Sequence, residues 1–185
     1  MMGSKEKPQG KRNIPVKIRW MRRADIDDVV SIEEACHFDY PWSRQEFVVC
    51  LRRRGCINVV AERNKETVGY LVYAMTEDPD TEEKKLDVLN FAVAPKKQRR
   101  SIGTQMADKL KEKMHQNHAT SIEFLVHAEN LGAQLFLKSQ GFLAIELIED
   151  YVDEAMEEEE EVYVMQYRLK HQFRIKNRIS KYWDV

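Results

Sequence analysis

The residues with the clearest chemical potential form the loop "QRRSIGT", residues 98–104. An apolar run typical of a strand precedes this loop, and a pattern typical of an amphipathic helix follows it. The first turn of a helix carries unpaired backbone N–H groups and a partial positive charge, which together bind phosphate well. Since the loop has a single glycine, Gly103, two interpretations are open. It is either a phosphate-binding turn in which another residue replaces a glycine, or a basic turn before an ordinary helix.

The elements that must position this loop are indicated by hydrophobic periodicity. Strand patterns occur at residues 16–21, 56–63, 67–76, 86–95, 120–128, 142–148 and 161–169. Helix patterns occur at residues 24–38, 44–53, 105–116 and 130–141. We expect a hairpin turn at Asn64–Lys65 and a solvated loop at residues 76–85.

Local signals define the ends and faces of the predicted helices. Ser43 is followed three residues later by Glu46, which predicts a capping box. The helix after the loop has one apolar face, formed by Ile102, Met106, Leu110 and Met114. The next helix begins at Asn130 and stops at Gly141, and its apolar residues on one side are Leu131, Leu135 and Phe136. The order of these elements predicts an α/β domain with a mixed sheet.

Charge is balanced overall but unevenly distributed. The net charge is −1, so bulk polarity does not indicate a nucleic-acid-binding protein. Residues 1–23 and 168–185 are nevertheless basic, whereas residues 146–161 hold ten carboxylates and no base. The basic arms at residues 1–15 and 170–185 are predicted to flank one domain, residues 16–169.

The cysteines and the apolar runs indicate a cytoplasmic protein. The chain has three cysteines, an odd number, and no pair has the two-residue gap of a metal knuckle. Reduced thiols and no metal are therefore expected. No apolar stretch approaches the roughly 20 residues that span a bilayer, and the start has no apolar stretch typical of a secretory signal.

Three segments resemble a known family. "LNFAVAPKKQRRSIGTQMADKL" and "FLVHAENLGAQLFLKSQGF" are similar to the core of the GCN5-related N-acetyltransferases, the GNAT superfamily. "HFDYPWSRQEF" resembles the substrate-side segment of its RimI-like branch, which acetylates the N-terminal alanine of a ribosomal protein. The resemblance covers about residues 16–169 and implies a mixed, mostly antiparallel sheet of about seven strands flanked by about four helices.

The resemblance implies a set of residues that bind acetyl-CoA. The backbone of Phe91, Ala92 and Val93 would pair with the pantetheine arm. The pyrophosphate would be held by Arg99, Arg100, Ser101, Ile102, Gly103 and Thr104. The family pattern has a glycine where this chain has Ser101. Asn130 would either touch the cofactor or cap its own helix.

The catalytic residues of the branch are missing from this chain. The resemblance places a glutamate base at Leu125 and a tyrosine acid at Leu137, and neither leucine can move a proton. Asp87, Glu123 and His127 are therefore competing candidates for the general base, beside a water relay. Glu123 and His127 lie two residues from Leu125, so alternation places all three on one face of a strand.

The resemblance also implies an acceptor site. Tyr40 and Trp42 would form one wall of it and Tyr151 another, although Trp42 is also a plausible core residue and Tyr151 a half-buried surface aromatic. The acidic segment 149–161 is either solvated, or attracts a cationic acceptor, or receives the basic arms.

Three hypotheses about function follow. The first is an N-acetyltransferase that uses acetyl-CoA and a primary amine, above all a protein N-terminal α-amine. The second is a CoA-binding module that has lost transfer, because Leu125 and Leu137 occupy the catalytic positions. The third is a ribosome- or nucleic-acid-associated protein whose basic ends carry Trp20, Tyr182 and Trp183 as stacking residues.

Overall fold

A computed structural model describes residues 15–36, 41–77, 81–152 and 160–169. In these residues the predicted order of strands and helices is confirmed. The helices are α1 Ile26–Cys36, α2 Arg44–Arg52, α3 Ile102–Gln116 and α4 Leu131–Ser139. The strands are β1 Lys17–Trp20, β2 Cys56–Arg63, β3 Glu66–Glu77, β4 Lys84–Val93, β5 Ser121–His127, β6 Leu143–Tyr151 and β7 Glu160–Arg168.

The seven strands form one mixed sheet in the order β1-β2-β3-β4-β5-β7-β6, which confirms the predicted α/β fold. Strands β1, β2 and β3 pair antiparallel, and β7 pairs antiparallel with both β5 and β6. The β2–β3 hairpin turns at Asn64 and Lys65, whose φ angles are 51° and 65°. Positive φ at both central residues matches the right-handed twist of the flanking strands.

Contacts group the chain into two compact units. The first contains the described residues up to Met75 together with Asp87–Lys113. The second contains Thr76–Leu86 and the described residues from Met114 onward.

The core of the first unit packs α1 and α2 on the sheet. The apolar spacing of α1 buries Ile26, Val29 and Ile32. Phe47 of α2 is fully buried and meets Tyr70 edge-on, with ring centroids 5.3 Å apart. The predicted capping box starts α2: Glu46 N–H donates to Ser43 Oγ at 3.4 Å, and Ser43 N–H donates to Glu46 Oε2 at 2.6 Å. Burial of one face of each helix therefore holds both helices in place.

Gly69 on β3 allows a close approach of backbone to backbone. A Cβ at this position would lie 2.9 Å from Ala92 O and 3.2 Å from Met106 Sδ. We expect Gly69→Ala to lower the free energy of unfolding by about 1–3 kcal/mol, because the Ala92 carbonyl cannot yield without moving β4. Chemical denaturation measures this change.

Gly132→Ala is the matched control for that prediction. Gly132 lies in α4, where the nearest atom to a new Cβ is Asn130 Oδ1 at 3.8 Å. Replacing a glycine inside a helix by alanine stabilises by about 0.5–1 kcal/mol. Opposite signs for the two variants support the packing account, and equal effects would contradict it.

The second unit has an aromatic core beside α4. Phe124 of β5 meets Phe142 edge-on at 5.3 Å, and Phe142 packs on Tyr167 of β7 at 5.5 Å. Gly141 ends the helical segment with φ of 87°, as the predicted stop requires. Leu137 is the buried apolar residue of α4, with 2% of its surface exposed.

Some predicted boundaries were wrong. The expected loop at residues 76–85 is shorter, because β3 continues to Glu77 and β4 begins at Lys84. Strand β6 runs three residues further than predicted, to Tyr151. On α4, Leu131 and Leu135 are mostly exposed, so the predicted apolar side is not the buried one. The arms lie outside the described residues, apart from residue 15.

Candidate active site

The loop at residues 98–101 is anchored to the end of β4. Gln98 Nε2 donates to Val93 O at 3.1 Å, and Ala94 N–H donates to Val68 O at 3.0 Å. A short 3-10 turn, Pro95–Lys97, separates the strand from the loop. These hydrogen bonds fix the position of the loop, which connects the end of β4 to the first residue of α3.

Arg99 and Ser101 adopt left-handed backbone conformations, with φ of 58° and 62°. Such conformations are disfavoured for residues with a Cβ by about 1–2 kcal/mol. Left-handed residues within a turn are typical of the backbone segments that bind anions. Ser101 O accepts the Gln105 N–H at 3.1 Å, so the helical hydrogen bonds start at this residue. Ser101 therefore holds, despite its Cβ, a backbone conformation that glycine adopts at no steric cost.

Helix α3 begins at Ile102, three residues earlier than the predicted span of 105–116. Its apolar face is buried as predicted, since Ile102, Met106, Leu110 and Met114 are each at most 1% exposed. The side chain of Ile102 points into the core, and the first-turn N–H groups of Ile102, Gly103 and Thr104 have no partner within a helix. Arg99 and Arg100 are exposed beside this turn and add positive charge.

The end of β4 combines buried side chains with backbone groups. Ala92 and Val93 are 5% and 8% exposed, and Phe91 is half-buried. The Cys36 thiol donates to Val93 O at 3.4 Å. Core packing of these side chains is compatible with a role for their backbone, because the two uses involve different atoms.

The three base candidates lie in different surroundings. Asp87 is a half-buried residue of β4 in the first unit, whereas Glu123 and His127 belong to β5 in the second. Glu123 Oε2 accepts from Lys85 Nζ at 2.7 Å and Oε1 accepts from Gln166 Nε2 at 2.8 Å. His127 Nε2 lies 2.7 Å from Glu160 Oε2. Glu123 is thus held in a structural ion pair, whereas Glu160 Oε2 is close to the His127 ring but has no hydrogen-bond partner among the described residues.

Strand β5 presents the two polar candidates and Leu125 on one face. Ile122, Phe124 and Val126 alternate with them and are buried. Leu125 is 48% exposed, and Leu137 lies in the core of the second unit. Neither of these two positions therefore carries a side chain that can transfer a proton.

The remaining predicted site residues are partly engaged in the fold. Asn130 caps α4, because its Oδ1 accepts the Ala133 N–H at 3.0 Å. Trp42 is half-buried and packs on Phe47, with ring centroids 5.4 Å apart. Tyr151 is half-buried at the end of β6, opposite Glu160 in the register. Tyr40 lies outside the described residues.

Most of the chain matches the model of a known protein family. Residues 22–142, more than half of the chain, match the model of the acetyltransferase (GNAT) family. The chain belongs to the GNAT family.

Among the described residues, no group of three or more His, Cys, Asp or Glu side chains could hold a metal ion. No helix in the described part of the chain has the length and apolar character needed to cross a bilayer.

Solved structures share the GNAT fold at low sequence identity. The Escherichia coli ribosomal-protein-S18-alanine N-acetyltransferase is 19% identical, with a TM-score of 0.69 over 83% of this chain and 94% of that one. Chaetomium thermophilum Naa20, in complex with a bisubstrate analogue, is 19% identical, with a TM-score of 0.72 over 87% and 90%. Arabidopsis thaliana NAA60, in complex with acetyl-CoA, is 12% identical, with a TM-score of 0.70 over 84% and 100%. A search of curated proteins gives no match.

This GNAT chain contains a buried polar cluster that sequence reasoning missed. Glu33 of α1 is 1% exposed. Its Oε1 accepts from Trp42 N–H at 2.9 Å and from Asn90 Nδ2 at 2.9 Å, and its Oε2 bonds the Tyr70 hydroxyl. Tyr70 OH also lies 3.0 Å from Asn90 Oδ1. One carboxylate thus joins α1 to β3, β4 and the start of the segment that carries Trp42.

A sequence signal for Glu33 exists. Ile26, Val29 and Val30 precede it by seven, four and three residues, so Glu33 occupies the apolar face of α1. A charged residue at such a position requires buried partners. Its neighbour Glu34 is exposed on the same helix and carries no such signal.

The cluster keeps its tyrosine protonated. Burial, followed by the charge of Glu33, raises the pKa of Tyr70 far above its usual range. Burial also raises the pKa of the nearby Cys36 thiol to about 11. Both groups are therefore protonated and act as hydrogen-bond donors at neutral pH.

Ser101→Gly tests the conformation of the loop. Glycine adopts positive φ without a Cβ penalty, but it also gains freedom in the unfolded chain, so the two effects partly cancel. We expect the free energy of unfolding to rise by up to about 1 kcal/mol. If backbone N–H groups make the contact with CoA, its binding should change less than about threefold.

Ser101→Ala is the control for this prediction, because it removes the hydroxyl and keeps the Cβ. Thermal melting and calorimetry with CoA measure both quantities. A large loss of affinity in both variants would show that the Ser101 hydroxyl binds the phosphate, contrary to the backbone account.

Proposed function

We propose that this chain is an acetyl-CoA-dependent N-acetyltransferase whose acceptor is a protein N-terminal α-amine. Membership of the GNAT family supports acetyl transfer in general. Structures of similar fold include an enzyme named as a ribosomal-protein-S18-alanine N-acetyltransferase and one bound to acetyl-CoA. These names motivate the choice of acceptor and cosubstrate for this chain.

The observation that carries the proposal is the loop before α3. Arg99 and Ser101 have left-handed backbone conformations, and α3 begins directly after them at the buried residue Ile102. The N–H groups of Ile102, Gly103 and Thr104 would bind the diphosphate of acetyl-CoA, and Arg99 and Arg100 would contribute charge. Phe91–Val93 would bind the pantetheine arm through their backbone.

The reaction places three demands on the chain. The neutral amine attacks the thioester carbon, its carbonyl oxygen becomes an oxyanion, and the C–S bond then breaks to release the CoA thiolate. A backbone N–H, in our proposal that of Val93, stabilises the oxyanion. The proton lost by the amine finally reaches the thiolate or solvent.

Proton removal needs little help when the acceptor is an α-amine. The usual α-amino pKa is about 7.7–8.0, so roughly a tenth of the amine is already neutral at pH 7. Asp87, Glu123 and His127 all stay candidates for the base, and in Glu123 both carboxylate oxygens already accept hydrogen bonds. A water relay remains the alternative to a side-chain base.

We expect the rate of transfer to follow the neutral fraction of the amine. Below the amine pKa, kcat/KM should rise about tenfold per pH unit. A peptide with a free α-amine should be favoured over the same peptide with only a lysine amine by about two orders of magnitude, since the lysine pKa is about 10.4. Mass spectrometry of the acetylated peptides over a pH series measures both effects.

A peptide library with acetyl-CoA tests the proposed function itself. Acetylated N-termini above the uncatalysed rate are expected. Absence of product with CoA demonstrably bound would reject transfer and leave the second function, a CoA-binding module. Leu125 and Leu137 favour that alternative, because neither position carries a proton-transferring group.

Asp87→Ala and His127→Ala separate the two functions. If transfer occurs and one of these residues is the base, its variant loses about 10²–10⁴-fold in rate. If CoA raises the melting temperature and neither variant changes any measured activity, the binding module is favoured.

The acceptor side of the proposal involves aromatic and acidic residues. Trp42 is a half-buried aromatic residue of the first unit, and Tyr151 is a half-buried aromatic residue of the second. Residues 149–152 and 160–161 contribute Glu149, Asp150, Glu160 and Glu161, which favour a basic acceptor segment. We further propose a cytoplasmic location, in keeping with three cysteines that form no disulfide. Association with ribosomes would depend on the basic ends, most of which lie outside the described residues.

A further inference from the structure

A cavity lies between the first three strands of the sheet and helix α3. Its volume is about 160 Å³, and all of its lining residues belong to the first unit. Strands β1, β2 and β3 contribute Trp20, Val59 and Leu71, which the strand register places in one row across the sheet. Helix α3 contributes Leu110, which is 1% exposed. The cavity is thus bounded by three strands on one side and by the second half of α3 on the other.

The apolar lining is only partly covered by other side chains. Ile57 and Val59 are half-buried although β2 is paired on both edges, and Trp20 is 65% exposed. Close packing would bury such residues, since protein interiors leave few voids. An apolar cavity of roughly 150 Å³ accepts a molecule of the size of benzene. The space therefore suits a small apolar body.

Tyr73 adds a polar group to this lining. It pairs with Ile57 in the register, so both side chains lie on the cavity face of the sheet, and Tyr73 is 4% exposed. Among the described residues its hydroxyl has no hydrogen-bond partner, and burial raises the pKa of Tyr73 to about 12. A largely buried hydroxyl without a partner is unfavourable. An oxygen atom of a bound molecule would accept the hydrogen bond that this hydroxyl offers.

Two lysines give the cavity positive charge. Lys109 and Lys113 lie one turn apart on α3, and both are half-buried lining residues. Lys109 Nζ lies 2.6 Å from Glu112 Oε2 in a partly exposed ion pair, of a kind that contributes little to stability. A bound carboxylate can therefore replace Glu112 as the partner of Lys109. Since no acidic residue is among the described residues of the lining, its charge favours an anion.

The third cation of the lining, Arg19, is already neutralised. Its guanidinium lies 2.7 Å from Asp25 Oδ2 and 2.7 Å from Glu62 Oε2. The positive charge that a bound molecule meets therefore comes from α3, whereas the sheet supplies apolar surface and the Tyr73 hydroxyl.

We propose that this cavity binds a small carboxylate whose apolar body has about six to eight carbon atoms. The apolar body packs on Val59 and Leu71, the carboxylate binds Lys109 and Lys113, and the Tyr73 hydroxyl donates to an oxygen of the ligand. The two lysines lie about two turns beyond the first residue of α3. The inference therefore concerns residues outside the proposed acetyl-CoA site and does not depend on acetyl transfer.

An NMR titration of the isotope-labelled full chain tests the proposal. The probes are phenylacetate, phenylethanol and phenylethylamine, which share one apolar body and differ in charge. We expect phenylacetate to shift the amide signals of Ile57, Val59 and Leu71 in a saturable way, with a dissociation constant below about 1 mM. Phenylethanol should bind about tenfold more weakly, and the protonated amine more weakly still, because neither gains from the lysines. Addition of CoA should leave the affinity for phenylacetate unchanged.

Variants separate the roles of the charge and the hydroxyl. Lys109→Gln with Lys113→Gln should lower the affinity for phenylacetate about tenfold, to that of phenylethanol. The matched control is Lys111→Gln with Lys138→Gln, which removes the same charge outside the lining and should stay within about twofold of the wild type. Tyr73→Phe removes only a hydroxyl and should weaken both phenylacetate and phenylethanol about threefold.

Several outcomes would overturn the inference. One is that phenylacetate causes no saturable shift at the cavity amides. Others are equal affinities of the wild type for phenylacetate and phenylethanol, or equal losses in the two double lysine variants. Displacement of phenylacetate by CoA would also overturn it, because the anion would then bind at the loop before α3. The comparison of probes on the wild-type chain needs no variant, so a variant that fails to fold does not remove the test.

Discussion

Glu33→Ala is expected to lower the free energy of unfolding by about 3–5 kcal/mol, more than any other single substitution considered for this chain. The carboxylate of Glu33 accepts hydrogen bonds from Trp42 N–H, Asn90 Nδ2 and the Tyr70 hydroxyl, and it is 1% exposed. Alanine leaves these donors buried without their acceptor and opens a small cavity. Chemical denaturation, followed by fluorescence and circular dichroism, measures the loss.

Two further variants distinguish loss of the cluster from loss of any glutamate on α1. Glu33→Gln keeps the shape and one acceptor oxygen, so we expect a loss of only about 1 kcal/mol. Glu34→Ala alters the exposed neighbour and should stay within about 0.5 kcal/mol of the wild type. If Glu33→Ala were no more destabilising than Glu34→Ala, the cluster would not hold α1 to the sheet as described.

The second large effect concerns the loop before α3. Replacing Arg99 and Arg100 together by glutamate should weaken CoA binding about a hundredfold, because two favourable charges beside the diphosphate become two repulsive ones. Stability without CoA should hardly change, since negative charge near a helix N-terminus is favourable. Calorimetry at two salt concentrations measures the change, which should shrink as salt screens these exposed charges.

The matched control reverses two other exposed arginines. Arg52 is the last residue of α2 and Arg54 lies two residues beyond it, and Arg52→Glu with Arg54→Glu gives the same change in net charge. This control should bind CoA within about threefold of the wild type, because its charges lie outside the proposed site. Equal weakening by both double variants would show that net charge, and not the loop, determines the affinity.

Elements with strong local signals could be predicted from the sequence. The four-residue spacing of Ile102, Met106, Leu110 and Met114 predicted the buried face of α3. The Ser43 and Glu46 pair predicted the capping box that starts α2. In both cases short-range physics and the tertiary fold favour the same structure. The segment 76–85 was predicted less well, because the polar ends of β3 and β4 carry no alternation of apolar residues.

The candidate site was predictable only where it follows the family pattern. That pattern located the loop and β4, but the left-handed conformations of Arg99 and Ser101 depend on the anchoring of the loop to Val93. The partners of Glu33 lie 9, 37 and 57 residues further along the chain. Local periodicity therefore shows that a charged residue occupies the apolar face of α1, but it does not identify the partners. The roles of Asp87, Glu123 and His127 as base remain predictions, as does contact of Asn130 with the cofactor.

The central claim is that backbone amides at the start of α3 bind the diphosphate of CoA. An NMR titration of the isotope-labelled full chain tests it directly, because amide resonances respond to a bound anion residue by residue. We predict that CoA shifts the amide signals of Ile102, Gly103 and Thr104 in a saturable way, and that pantetheine, which lacks the diphosphate, does not. If these three signals stay unmoved while CoA shifts other amides, or if CoA shifts none, the account is contradicted.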